Sequence, residues 1–292
     1  MNTRPKITQE MIRLYDEYTH LTLDRRGFME KLTKLAGGAA AAVAIAPMIA
    51  ANKASAAMVA PDDARVATET VTFPSPAGDI SGYLAKPAGA TGKLPTVVVI
   101  HENRGLNPHI QDVARRVALE GFVAMAPDFL SPQGGTPEDS DAAAQTFQSM
   151  DRAAAIAIAV AAAAYLRGRD DGNGNVGAVG FCWGGGMVNQ LAVGDPNLKA
   201  AVAYYGPQPG VEEAANVKAG VMLHYAGLDE RINAGIAAYE DALKAAGVEY
   251  EVFMYDGVNH AFNNDTSEAR YNKEAADLAW SRTIDFFKKN LT

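Results

Sequence analysis

Cysteine is almost missing: Cys182 is the only one in 292 residues, so no intramolecular disulfide framework can hold the chain together. No spaced set of cysteines and histidines marks a zinc-type cluster, and the sequence asks for no metal or cofactor. Positive charge is short as well. With 26 Lys and Arg against 34 Asp and Glu, a formal charge of −8, nucleic acid and anionic lipid are poor main partners. Apolar runs long enough to be confident membrane spans are absent. What remains, 48% hydrophobic and 21% charged, is the composition of a globular protein. A single thiol in such a chain is either buried and inert or chemically used.

The first sixty residues read differently from the rest. Asp24-Arg25-Arg26-Gly27-Phe28-Met29-Glu30-Lys31 resembles a twin-arginine export signal. A mildly apolar Ala/Gly-rich run from Leu35 to Ala51 follows it, and Ala54-Ser55-Ala56 offers a small-x-small cleavage site. Up to Ala56 there are eight basic and five acidic side chains, so the acidic excess lies in the body. The expectation is a leader over residues 1–61, periplasmic delivery of folded protein by twin-arginine export machinery, and a catalytic domain over residues 62–292. A second reading stays open, in which the protein is cytoplasmic. Ile7, Met11, Leu14, Tyr15 and Tyr18 form a helical apolar stripe, which suits an arm packed on the body or on another subunit.

Beyond the leader, short apolar runs alternate with helical patterns. Val66–Phe73 and Ile80–Ala85 predict an antiparallel N-terminal hairpin at a sheet edge. Leu94–Ile100, Phe122–Ala126, Val176–Phe181, Ala200–Tyr205, Gly220–His224 and Tyr250–Tyr255 predict buried strands. Helices are expected over Pro108–Glu120, Asp141–Arg167, Ala234–Ala246 and Ser267–Lys289. The fold class is α/β, a mostly parallel sheet with helices on both faces, in one domain without internal repeats.

Gly180-Phe181-Cys182-Trp183-Gly184 turns a strand abruptly into a small-residue helix start, the setting of a nucleophile elbow with Cys in the place of Ser. Gly180 and Gly184 are required because Cβ atoms would collide in so sharp a turn. In sheets of this kind the working residues gather at the carboxyl ends of strands. Reading only those positions, Asp229 follows one strand and His260 the next, and the order Cys182, Asp229, His260 is that of the α/β-hydrolase fold. The chemistry needs these three types. A thiol must lose its proton to attack a carbonyl, an imidazole can take and return it near neutral pH, and a carboxylate fixes the imidazole's tautomer. Asp256 and Glu230 are rival acids. The other histidines are weaker candidates: His20 lies in the leader, His109 at a helix start, His224 inside a strand, and His101 ahead of the constellation. An oxyanion hole needs two N–H donors, which Trp183 and Asn103 would supply. Glu102 is either a supporting carboxylate or an ion-pair partner of Arg104.

Val97-Val98-Val99-Ile100-His101-Glu102-Asn103-Arg104-Gly105, the Cys182 elbow, Gly227-Leu228-Asp229 and Asn259-His260-Ala261-Phe262 together resemble the dienelactone hydrolase (carboxymethylenebutenolidase) family across the body after the leader. The resemblance implies an esterase-type hydrolase that opens a small ester or lactone through an acyl-thioester on Cys182, without metal or cofactor. It gives Glu102 the role of holding the resting thiol. Members that take anionic dienelactones clamp the substrate carboxylate with arginines. The matching stretches here, Asp128-Phe129-Leu130-Ser131-Pro132 and Ala261-Phe262-Asn263-Asn264, contain none. Arg104, Phe129 and Phe262 are therefore the expected substrate contacts, with an apolar acyl or ring pocket near Trp183. A non-catalytic binding or assembly module on the same fold, or a thioesterase or acyltransferase, remains the alternative. Nothing in the pattern sets an oligomeric state.

Overall fold

The computed structural model describes residues 5–20, 22–50 and 57–292; the small-x-small segment Ala54-Ser55-Ala56 lies outside them. Eight strands form one sheet: β1 (Val66–Ser75), β2 (Gly78–Pro87), β3 (Leu94–Ile100), β4 (Val123–Pro127), β5 (Gly172–Phe181), β6 (Ala200–Tyr204), β7 (Gly220–Ala226) and β8 (Tyr250–Tyr255). Their spatial order is β1-β2-β4-β3-β5-β6-β7-β8. β1 pairs with β2, and β2 with β4, antiparallel; all remaining neighbours are parallel. The hairpin thus stands at one edge, as its alternation requires. β3, β4 and β6 are buried along nearly their whole length, because helices cover both faces.

The covering helices are α4 (Pro108–Leu119), α5 (Ser140–Gln148), α6 (Arg152–Arg167), α7 (Trp183–Gly194), the single-turn α8 (Glu230–Asn233), α9 (Ile236–Ala245) and α10 (Lys273–Leu291). Two apolar clusters, one on each side of the sheet, make the core. The continuous helix expected over Asp141–Arg167 is in fact α5 and α6, which meet at 109°. Asp151 ends the run by capping α6, its side chain accepting the Ala154 N–H, an interaction that favours a helix start over helix continuation. Likewise α10 starts at Lys273 rather than Ser267. Asn272 caps it, while Arg270 and Tyr271 turn back onto the Ser267 carbonyl.

The segment expected as a leader folds into α1 (Gln9–Thr19), α2 (Arg25–Ala36) and α3 (Ala39–Ile49). Met11, Leu14, Tyr15, Phe28, Leu32, Ala42, Ile45 and Ile49 form their own small core. Polar bonds tie them to the body: Tyr18 and Arg25 to Asp141, Arg13 to Glu230, and Ser267 to the Ile49 carbonyl. The paired arginines of the export-like motif are therefore engaged, Arg25 with Asp141 and Arg26 with Glu30, and Phe28 is buried. Among the described residues no single helix is long and apolar enough to cross a membrane.

Candidate active site

Cys182 sits where β5 meets α7, with φ 55° and ψ −117°. Holding a non-glycine residue there costs about 1–3 kcal/mol, which the surrounding structure must offset. The two flanking glycines make the turn physically attainable. A Cβ on Gly180 would stand 2.2 Å from the Gly184 carbonyl oxygen, and one on Gly184 would stand 2.4 Å from that of Ile100. The Cys182 N–H donates to the Tyr204 carbonyl at 3.0 Å, locking the elbow to β6. Below the sulfur, α7 begins at Trp183, whose N–H is one of the first-turn donors without a partner inside the helix. Tyr205 (φ 38°) and Ala261 (φ 63°) also have left-handed backbone, so the three positive-φ residues other than glycine among the described residues lie at this one place.

Asp229 and His260 come from the loops after β7 and β8. The Leu228 N–H donates to the Val258 carbonyl at 3.0 Å, which binds the two loops together. His260 Nδ1 is 2.5 Å from Asp229 Oδ2, and the other Asp229 oxygen caps α8. Both are buried, and His260 Nε2 has no hydrogen-bond partner. Burial pushes the Asp229 carboxyl up, but the hydrogen bond and charge of His260, the Arg231 charge and the Ile232 N–H together more than offset it and hold Asp229 below its ordinary value. Burial also pulls the His260 imidazole down; the adjacent sulfur, Asp16 and Asp229 more than offset this and hold it well above 6.5. For the thiol, burial acts upward, yet the imidazoles of His260 and His20 bring Cys182 from 9.0 down to about 6. A sulfur in this setting carries thiolate at neutral pH.

The rival side chains are occupied elsewhere. His101 is fully buried, its Nδ1 at 2.7 Å from the Glu102 carbonyl and its Nε2 accepting from the Phe129 N–H. His224 is sealed between Tyr255 and Thr283, and burial lowers it to about 3. Glu230 is exposed beside Arg13, and Asp256 is exposed. Glu102 is buried and does not pair with Arg104; its Oε2 accepts from Asn264 Nδ2 at 2.8 Å. Arg104 instead donates to the Ser140 carbonyl. The side chain of Asn103 donates to the Thr19 carbonyl at 2.5 Å.

Cys182 and His260 open into a cavity of about 840 Å³. One wall is the body, with Glu102, Asn103, Arg104 and Asn264; the other is the arm, with Tyr15, Tyr18, His20, Phe28 and Met29. Two expected substrate contacts are displaced. Phe129 and Phe262 are fully buried and line no part of this cavity. Phe129 packs edge-on against Trp183 and His101, and Phe262 packs against Tyr205 and Tyr255, because aromatics behind an elbow fill the core under it. Arg104 does line the cavity, and so do Arg25, which the sequence marked only as part of the export-like motif, and Arg270, which it did not single out. Arg270 donates to Ser267 Oγ and lies over the Tyr15 ring.

Sequence reading also missed Tyr205, whose buried hydroxyl has no partner, and His20. The His20 Nε2 is 3.5 Å from the Cys182 sulfur, and donor atoms of His20, Cys182 and His260 lie within 4.8 Å of one another. These are metal-ligand types, but Arg231 Nη2 at 2.8 Å from His20 already places a cation against one donor, which disfavours a second.

A family model described as the dienelactone hydrolase family matches residues 80–291, and one described as YqhI-like matches residues 2–37. A "Putative carboxymethylenebutenolidase" of Escherichia coli O157:H7 is 32% identical, covering 81% of this chain and 92% of its own. Its namesake in Synechocystis is 34% identical over 77% of this chain and 98% of its own. The crystal structure titled "Putative Dienelactone Hydrolase" from Klebsiella pneumoniae superposes with a TM-score of 0.69 at 30% identity, covering 77% of this chain and 99% of that one.

Proposed function

This chain belongs to the dienelactone hydrolase family and is a hydrolase of ester or lactone bonds; from that premise we propose that it works through Cys182, His260 and Asp229 with an acyl-thioester intermediate. Cys182 attacks the carbonyl carbon, His260 acts as base and then acid, and Asp229 holds the imidazole in the required tautomer. The N–H groups of Trp183 and Asn103 stabilise the oxyanion, and Glu102, fixed by Asn264, supports the site from the cavity wall. The observation that carries the reading is the buried Asp229–His260 bond beside a thiol lowered to about 6.

The substrate is a small ester or lactone. A panel with and without a substrate carboxylate tests the part played by Arg104 and Arg270, which bring guanidinium groups into the cavity. The mechanism itself is tested with Cys182→Ala on p-nitrophenyl acetate. Loss of roughly 10⁴-fold or more in kcat is expected; an unchanged rate sinks the proposal.

A further inference from the structure

The arm and the body meet through polar bonds around a space that neither fills. Arg13 reaches Glu230, Tyr18 and Arg25 reach Asp141, Ser267 donates to the Ile49 carbonyl, and Arg231 Nη2 stands 2.8 Å from His20 Nε2. Apolar contact across this boundary is slight: among the described residues, the arm's own core takes in a single residue of the body, Ala269. Between the bonds lies the cavity of about 840 Å³ that opens onto Cys182 and His260, and its two walls differ in kind. The body's is mostly polar, with Glu102, Asn103, Arg104 and Asn264. The arm's is mostly apolar, with Met29 of α2, Val43, Ala46 and Pro47 of α3, and Ala50 just beyond. Helix α3 has no polar side chain in its eleven residues, and Val43 is 65% exposed. A helix apolar on every side is ordinarily buried; this one turns part of its surface to an unfilled space beside the sulfur. The apolar pocket expected near Trp183 is not there, because Trp183 packs against Phe129 and Phe147 and lines no part of the cavity.

We propose that an apolar group of the substrate lies between arm and body, against Met29, Val43 and Ala46, so that the arm determines which ester or lactone is taken. The class is an ester or lactone carrying a ring or a medium-length hydrocarbon chain; this deepens the hydrolase reading and rests on it. Size is the first support. Pockets that enclose drug-sized ligands run from about 300 to 1,000 Å³, and a small lactone would leave most of this one to water. Position is the second. His20 Nε2 is 3.5 Å from the Cys182 sulfur and the Asn103 side chain donates to the Thr19 carbonyl, so the arm is anchored at the reacting centre. A chain attached to the carbonyl carbon or to the departing oxygen meets the arm within a short reach. The third is chemical: water against an apolar wall finds no partner there, and its release favours the entry of carbon. The wall is also preformed, since Phe28 stacks on Tyr18 with centroids 4.9 Å apart and the Tyr18 hydroxyl donates to Asp141, so little ordering remains for binding to impose.

The test uses the full chain. Values of kcat/KM are measured along p-nitrophenyl acetate, butyrate, hexanoate and octanoate, where the acyl side grows, and along methyl, butyl and hexyl acetate, where the alcohol side grows. A rise of about two- to fourfold per methylene is expected along one of the two series, which identifies the side of the carbonyl that faces the arm. Val43→Glu and Met29→Glu each place a carboxylate on the arm's wall and should lower the long-to-short ratio roughly tenfold or more. Leu278→Glu, on an exposed part of α10 outside the cavity, should keep the unaltered ratio. Alkylation of Cys182 by N-hexyliodoacetamide and by iodoacetamide, each normalised to glutathione, reads the same space without turnover. The unaltered chain should favour the hexyl reagent, and Val43→Glu should lose that preference. Flat profiles along both series, ratios left unchanged by both Val43→Glu and Met29→Glu, or an equal loss from Leu278→Glu overturn the inference. Should Cys182→Ala keep its esterase rate while the alkylation preference stands, the failure lies in the thioester mechanism and not in the pocket.

Discussion

At the scale of single residues, the proposed reaction depends on the protons of Cys182, His260 and Asp229. Asp229 is held ionised against Nδ1 of His260, which leaves Nε2 as the ring nitrogen that would exchange a proton with the sulfur in the proposed mechanism. Replacing Asp229 with Asn removes the charge and favours the wrong tautomer; kcat should fall about 10⁴-fold with KM little changed, measurable on an activated ester. The thiol gives a pH signature. Its pKa is depressed to about 6, so the reactive thiolate is present above that pH and is lost as pH falls through it. The acid limb of kcat/KM should therefore lie near pH 6 and not near 9; because sulfur and imidazole titrate together, it belongs to the pair. That Cys182, Asp229 and His260 come together was legible in the sequence, since each follows a recognisable strand. The approach of His20 to the sulfur was not legible, because His20 was set aside with the leader and no strand-end rule points to a residue 162 positions before the elbow. Phe129 and Phe262 were misread because an aromatic next to a catalytic loop serves the core as readily as the cavity.

At the scale of elements, the elbow is the part under greatest constraint. A Cβ at Gly180 would press on backbone that cannot retreat, so Gly180→Ala should destabilise the protein by about 1–3 kcal/mol or more and abolish activity. Gly194, whose added Cβ would meet nothing nearer than 3.5 Å, supplies the control: Gly194→Ala in α7 should be neutral or slightly stabilising. Denaturant unfolding of both variants checks the pair. Strand positions followed from apolar runs almost residue for residue, as with β3 and β8. Helix ends followed less well. Asp151 and Asn272 act through a side chain that accepts a backbone N–H, and at Asp151 an alanine-rich periodicity on both sides of the cap hides the break.

At the scale of the whole molecule, the arm and the body share one cavity. Export by a twin-arginine-type route with cleavage at Ala56 remains a proposal, and it makes a demand on the arm opposite to that of catalysis, because cleavage would discard His20 and a cavity wall. The active enzyme should therefore retain residues 8–49. Cell fractionation followed by intact-mass measurement should return active enzyme that still carries this segment, whereas an active protein beginning at residue 57 would show that the arm's cavity wall is dispensable. The apolar stripe of α1 was visible in sequence, but a stripe says only that something is covered, and not what. The most direct measurement of the central claim is rapid-quench mass spectrometry during turnover of p-nitrophenyl acetate. The account predicts one acetyl group on the peptide containing Cys182, formed and lost at rates consistent with kcat. Steady turnover with no acyl group on that peptide, or an acyl group on a different residue, would contradict it.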